Sequence, residues 1–129
     1  MNVRHIYIVD DDVEDQEIFC QAVGDIDSQI ECCIFSGCEE MLAVLEKNID
    51  NPPDIIFLDL NMPKINGKEC LCLLKNDSRF KNITVYIYTT TSFAVEKEQA
   101  LKHGAAGFLV KPNSLRVLKK HLDDILHST

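Results

Sequence analysis

Apolar residues in this chain gather into short unbroken runs, and each run stops abruptly at polar residues. HIYIV at 5–9 halts at Asp10, Asp11 and Asp12. DIIFL at 54–58 halts at Asp59, and ITVYIY at 83–88 halts at Thr89, Thr90 and Thr91. GFLV at 107–110 halts at Lys111 and Pro112, and QIECCIF at 29–35 is a weaker run. Such runs, rich in Ile, Val, Phe and Tyr, suit strands buried on both faces of a parallel sheet. Between them the apolar period lengthens to that of a helix. Phe19, Ala22, Val23 and Ile26 form one stripe, and Cys38, Met41, Leu42 and Leu45 a second that Ile49 continues. Leu115, Leu118, Leu122 and Ile125 form a third. Shorter helices are expected from Gly67 to Asn76 and over roughly 92–103, with Gly104 in the place of a C-terminal cap glycine.

Strands alternating with helices of this length predict five βα units with right-handed crossovers. The expected fold is α/β: a five-stranded parallel sheet in a doubly wound three-layer α/β/α sandwich. Functional groups in such folds lie at the carboxyl ends of the strands. Asp10 and Asp11, Asp59, Thr89 and Lys111 would all stand there. Three close carboxylates repel one another unless a cation joins them. A hard divalent ion such as Mg²⁺ prefers oxygen ligands. A carboxylate can also attack phosphorus, and phosphoryl transfer needs mainly in-line positioning and neutralised oxygens. The metal, the Lys111 ammonium and the Thr89 hydroxyl could each neutralise one oxygen.

The ordered motifs IVDDD, PDIIFLDLNMPKINGKE, YTT and GAAGFLVKP resemble the receiver domain of bacterial two-component response regulators. This is the family of the single-domain chemotaxis regulator, and the likeness covers essentially the whole chain. Thr89 lies 30 residues and Lys111 52 residues after Asp59, intervals similar to the family's. The resemblance implies a flavodoxin-like strand order 2-1-3-4-5 and phosphorylation of Asp59. It implies Mg²⁺ on Asp10, Asp11, Asp59 and the Asn61 backbone carbonyl, with Asp11 a direct ligand. It gives Thr89 and Phe108 switch roles, Lys111 the role of the phosphoryl-binding lysine, and Pro63 and Gly67 places in the loop after the acceptor. The bond from Lys111 to Pro112 matches one usually cis in the family. Asp12 makes a triple acid and reads best as the cap of the first helix, with Asp15 in its first turn. Phe108 lacks the hydroxyl of the more familiar Tyr, and Thr90 replaces a common small Ala. Thr91 sits where the family tunes dephosphorylation.

The implied partners are a sensor histidine kinase or phosphotransfer protein and a downstream protein. The downstream protein would be met by the face of the fourth helix, fifth strand and fifth helix. A monomer or weak dimer is expected, acting as an enzyme only on its own phosphorylation and dephosphorylation. The 129 residues suit one receiver domain over 1–129. A net charge of −8 argues against direct nucleic-acid binding. No apolar run is long enough to insert in a membrane and the start is not a secretory signal, so a cytoplasmic location is expected. The six cysteines form no CxxC pair and read mostly as small buried hydrophobes in a reducing compartment. None of the four histidines shows a metal or phospho-histidine pattern. Lys111, Arg116, Lys119 and Lys120 read as a solvated face, or equally as a patch that docks an acidic partner. Rival readings are a phosphorylation-independent receiver-fold scaffold, an aspartate-based phosphohydrolase and a flavin binder. The hydrolase family of the haloacid dehalogenase type wants a second aspartate where Asn61 stands. A flavin binder would want a Ser/Thr/Gly loop where the first strand is followed by acids.

Overall fold

The computed structural model describes residues 3–90 and 93–127. Five βα units follow in order: β1 (His5–Val9), α1 (Val13–Ile26), β2 (Glu31–Phe35), α2 (Cys38–Lys47), β3 (Ile55–Leu58), α3 (Gly67–Lys75), β4 (Thr84–Thr89), α4 (Ala94–Lys102), β5 (Gly107–Val110) and α5 (Leu115–Leu126). All strand pairs are parallel, in the order β2-β1-β3-β4-β5. This is the expected doubly wound flavodoxin-like sheet.

Alternating strand residues feed two cores, one on each face of the sheet. Ile6, Ile8 and Phe57 meet Phe19 and Val23 of α1 and Leu118 and Leu122 of α5. The Phe19 ring lies 4.8 Å from Phe57 and 5.2 Å from Tyr88. Tyr7, Val9, Ile56 and Val85 meet Met41 and Leu45 of α2, Leu71 and Leu74 of α3 and Ala100 of α4. Some helix starts carry side-chain caps. Asp12 caps α1 through Asp15 N at 3.1 Å, and Asn66 and Glu69 form a reciprocal capping box on α3. Gly104 takes φ 106° just beyond α4, a left-handed conformation that favours glycine.

Several expectations change. The stripe of α2 does not continue to Ile49, which is exposed. Asn48 turns its side chain back onto the Val44 carbonyl at 2.8 Å, and the helix ends there. β2 starts at Glu31, because Asp27 Oδ1 accepts from Gln29 N at 3.0 Å and holds that stretch in a turn. Ser92 lies outside the described residues, and α4 begins at Ala94. Among the described residues every peptide bond is trans, including Lys111–Pro112, so the cis bond that the resemblance implied is not found. Two cysteines are not free hydrophobes either. α2 and α3 share one face of the sheet, which brings Cys38 and Cys70 to a Cα separation of 5.9 Å, and a buried disulfide joins them. Lys111 does not belong to a solvated basic face, since its side chain is only 8% exposed. Lys119 pairs with Asp25 at 2.8 Å.

Candidate functional site

The parallel ladder carries one residue past each strand, and that residue is the polar one. Asp10 N donates to Phe35 O at 2.9 Å, Asp59 N to Val9 O at 3.0 Å and Lys111 N to Thr89 O at 2.8 Å. Backbone hydrogen bonds thus fix the Cα atoms of Asp10, Asp59 and Lys111 along one rim. Asp10 and Thr89 are fully buried and Asp59 is 4% exposed, while Asp11 and Asn61 are exposed.

Lys111 reaches across this rim. Its ammonium stands 2.6 Å from Asp10 Oδ2, 2.7 Å from Asp15 Oδ2 and 3.3 Å from Asp59 Oδ2. Burial works against that charge, but bonding to Asp10 and Asp15 and the charges of Asp10 and Asp59 outweigh it. The Lys111 pKa is therefore held above its ordinary value. Asp10 moves the other way for a carboxylate. Burial pushes it up to about 6, although Lys111 and the Asp12 amide, which donates at 3.0 Å, both favour its ionised form. Gln16, buried in α1, donates to Asp10 O at 2.5 Å and to Ser36 Oγ at 3.3 Å. It ties the β1 and β2 ends to α1.

The Asp59 carboxylate is bonded on both oxygens, Oδ1 accepting from Asn61 N at 3.1 Å and Oδ2 from Lys111. The Asn61 side chain then donates to Thr89 Oγ1 at 3.2 Å, linking the acceptor loop to the end of β4. The loop returns onto Asp59 at Gly67, where a Cβ would lie 2.2 Å from Asp59 O and 2.6 Å from Leu60 Cα. Only glycine fits this approach. Buried Met62 anchors the loop, exposed Pro63 follows it, and Lys64 takes a left-handed φ of 63°. Phe108 is half-buried and packs against the core shared by α2, α3 and α4. Thr90 is exposed, and Thr91 lies outside the described residues.

Asp10, Asp11 and Asp59 each place one oxygen within 4.8 Å of the others. Lys111 pairs with Asp10, Asp15 and Asp59, and Asp11 adds a further carboxylate beside Asp10 and Asp59. Such an all-oxygen set fits a hard divalent cation. Asp10, Asp11, Asp59, Asn61, Thr89 and Lys111 are thus brought to one rim. Asp15 as a Lys111 partner, and the Gln16 and Asn61 side-chain bonds, were not read from the sequence. They depend on how the first turn of α1 and the acceptor loop settle over the strand ends.

Fold and rim together define a doubly wound α/β domain with a carboxylate, lysine and threonine cluster at its switch point. The response regulator receiver domain family matches residues 6–123, and the chain belongs to that family. A similar relative is the chemotaxis protein CheY1 of Helicobacter pylori, 37% identical over 82 residues. The match covers 64% of this chain and 64% of that relative's length. Among solved structures, chemotaxis protein CheY4 of Vibrio cholerae is similar with a TM-score of 0.81 at 27% identity, covering 96% of this chain and 99% of the other. The phosphorylated cyanobacterial phytochrome response regulator RcpA gives a TM-score of 0.84 at 25% identity, covering 95% and 91%. Among the described residues no helix is long and apolar enough to cross a membrane.

Proposed function

We propose that the chain is a cytoplasmic phospho-acceptor receiver, one unit over 1–129. It takes a phosphoryl group onto Asp59 from a histidine kinase or phosphotransfer protein and passes the signal to a protein partner. The observation that carries this reading is a buried Asp59 carboxylate bonded to Lys111 and within 4.8 Å of Asp10 and Asp11. Asp59 attacks phosphorus in line. The P–N bond of the phospho-histidine breaks, and its electron pair stays on the imidazole nitrogen, which takes up a proton. Mg²⁺, held by Asp10, Asp11, Asp59 and the Asn61 carbonyl, would supply charge neutralisation for the phosphoryl oxygens.

The protein's own groups do the rest. Lys111, already 3.3 Å from Asp59 Oδ2, binds a second phosphoryl oxygen. Thr89 exchanges its Asn61 contact for a hydrogen bond to a third. That movement frees space for half-buried Phe108 to turn inward, which shifts the balance between two states of the α4, β5 and α5 face. Exposed apolar residues on the α4–β5 side, Phe93, Val95, Leu101 and Val110, suit that face to a protein partner rather than a nucleic acid. The chain acts on no separate substrate, and hydrolysis of the acyl phosphate resets it.

Intact-mass measurement after incubation with phosphoramidate and Mg²⁺ tests the reading. One phosphoryl adduct is expected, absent without metal and absent in Asp59→Asn. No adduct on folded, metal-saturated protein would favour a phosphorylation-independent scaffold.

A further inference from the structure

A second cluster of ligand-type side chains lies at the opposite end of the sheet from Asp59. β1 and β2 pair in parallel with His5 opposite Glu31 and Tyr7 opposite Cys33. Strand alternation therefore puts His5, Glu31 and Cys33 on one face. His5 and Glu31 begin β1 and β2 and Cys33 lies at the middle of β2, whereas Asp10 follows the end of β1. The histidines showed no metal pattern along the chain, because the three residues meet only through strand pairing.

The distances are those of a coordination polyhedron. His5 Nε2 lies 3.4 Å from Cys33 Sγ, and Cys33 Sγ lies 3.7 Å from Glu31 Oε1. One ligand atom from each residue falls within 4.8 Å of the other two. A tetrahedral zinc ion with bonds of about 2.3 Å to sulfur and about 2.0–2.1 Å to nitrogen and oxygen has ligand–ligand edges of roughly 3.3–3.6 Å. The His5–Cys33 and Cys33–Glu31 separations lie within a few tenths of an ångström of these edges, and the His5–Glu31 pair lies within 4.8 Å.

We infer that His5, Glu31 and Cys33 form a binding site for a borderline divalent transition-metal ion, of which Zn²⁺ is the natural occupant. The donor chemistry separates this site from the rim. Imidazole and thiolate select borderline and soft metals, whereas the Asp10, Asp11 and Asp59 oxygens select hard ones. Without an ion the Cys33 thiol donates to Glu31 Oε1, and burial and the Glu31 charge hold its pKa above the ordinary value, so a bound metal ion would take the place of that proton. Glu31 is exposed and the other two are half-buried, so the ion has access from solvent and a fourth position stays open. β2 is an edge strand, and the ion would clamp it to β1 at the end far from the acceptor.

Titration of the reduced protein with Co²⁺, in excess Mg²⁺ to occupy the oxygen site, tests this directly. The expected result is a thiolate-to-cobalt charge-transfer band that saturates near one equivalent and is displaced by Zn²⁺. It should vanish in Cys33→Ser and survive in Asp59→Asn. Glu31→Gln, an exposed change that leaves the fold intact, should weaken binding on the order of tenfold or more. Cys20→Ser is the control for the other thiol pair, Cys20 and Cys32, whose sulfurs lie 2.7 Å apart. No charge-transfer band, a band that persists in Cys33→Ser, unchanged affinity in Glu31→Gln, or a band lost in Cys20→Ser would each overturn the inference.

Discussion

Asp10 carries a cost that the rest of the rim has to offset. Its pKa is raised from 3.8 to about 6, with burial the largest cause. A carboxyl that holds its proton more tightly when folded stabilises the fold below its unfolded pKa. That contribution is lost as pH rises through the folded value. The window here runs from pH 3.8 to about 6. The metal-free protein should therefore lose stability from this residue across that window, by about 3 kcal/mol at roughly 1.4 kcal/mol per unit. Asp10→Asn removes the titration. Denaturant unfolding without divalent ions should show the variant more stable than the parent at pH 7, with the gap closing toward pH 4. An equal gap at both pH values would mean that Asp10 is not destabilised by burial.

The same residue shows what could be read along the chain and what could not. Asp10, Asp59, Thr89 and Lys111 were legible because each ends an apolar run, and every run ends on the same side of a parallel sheet. Asp15 was legible only as a residue of a helix first turn. Its contact with Lys111 at 2.7 Å depends on α1 sitting over the rim, and no local pattern encodes that. Asn61 was noted for its backbone, while its side chain makes the bridge to Thr89.

At the scale of elements, the acceptor loop is held by contacts rather than by propensity. Gly67 begins α3 at the point where the chain folds back over the Asp59 and Leu60 backbone. Gly67→Ala would force those backbone atoms apart, since a Cβ at 2.2 Å cannot be tolerated. The expected loss is about 1–3 kcal/mol, read by thermal or denaturant unfolding, together with slower phosphorylation of Asp59 as the loop shifts. Gly24, whose added Cβ meets nothing within 4 Å, is the control, and Gly24→Ala should leave phosphorylation unchanged. Equal effects at both positions would show that the close approach at Gly67 does not position the acceptor. Strand and helix order was legible from periodicity, because two-sided burial leaves unbroken apolar runs and one-sided burial leaves stripes. Pairings between elements were not. The Cys38–Cys70 disulfide and the His5–Glu31–Cys33 cluster both arise from residues separated in sequence and joined by packing. The end of α2 depended on one Asn48 side-chain bond that the stripe did not announce.

Across the whole molecule, chemistry is concentrated at the carboxyl end of the sheet, and the proposed signal leaves by a different surface. The acidic rim carries an excess of carboxylates that a cation would balance, whereas the exposed apolar residues near α4 and β5 suit the proposed protein partner. In the proposed mechanism Asp59 connects the two through Asn61, Thr89 and Phe108, so its modification is the central claim. The most direct measurement is reduction of the phosphodonor-treated protein with borohydride, followed by peptide mapping. An acyl phosphate on Asp59 would be reduced to homoserine at that position alone, with the yield dependent on Mg²⁺. Homoserine at Asp10, Asp11 or another carboxylate, or none at all in folded protein, would contradict the account.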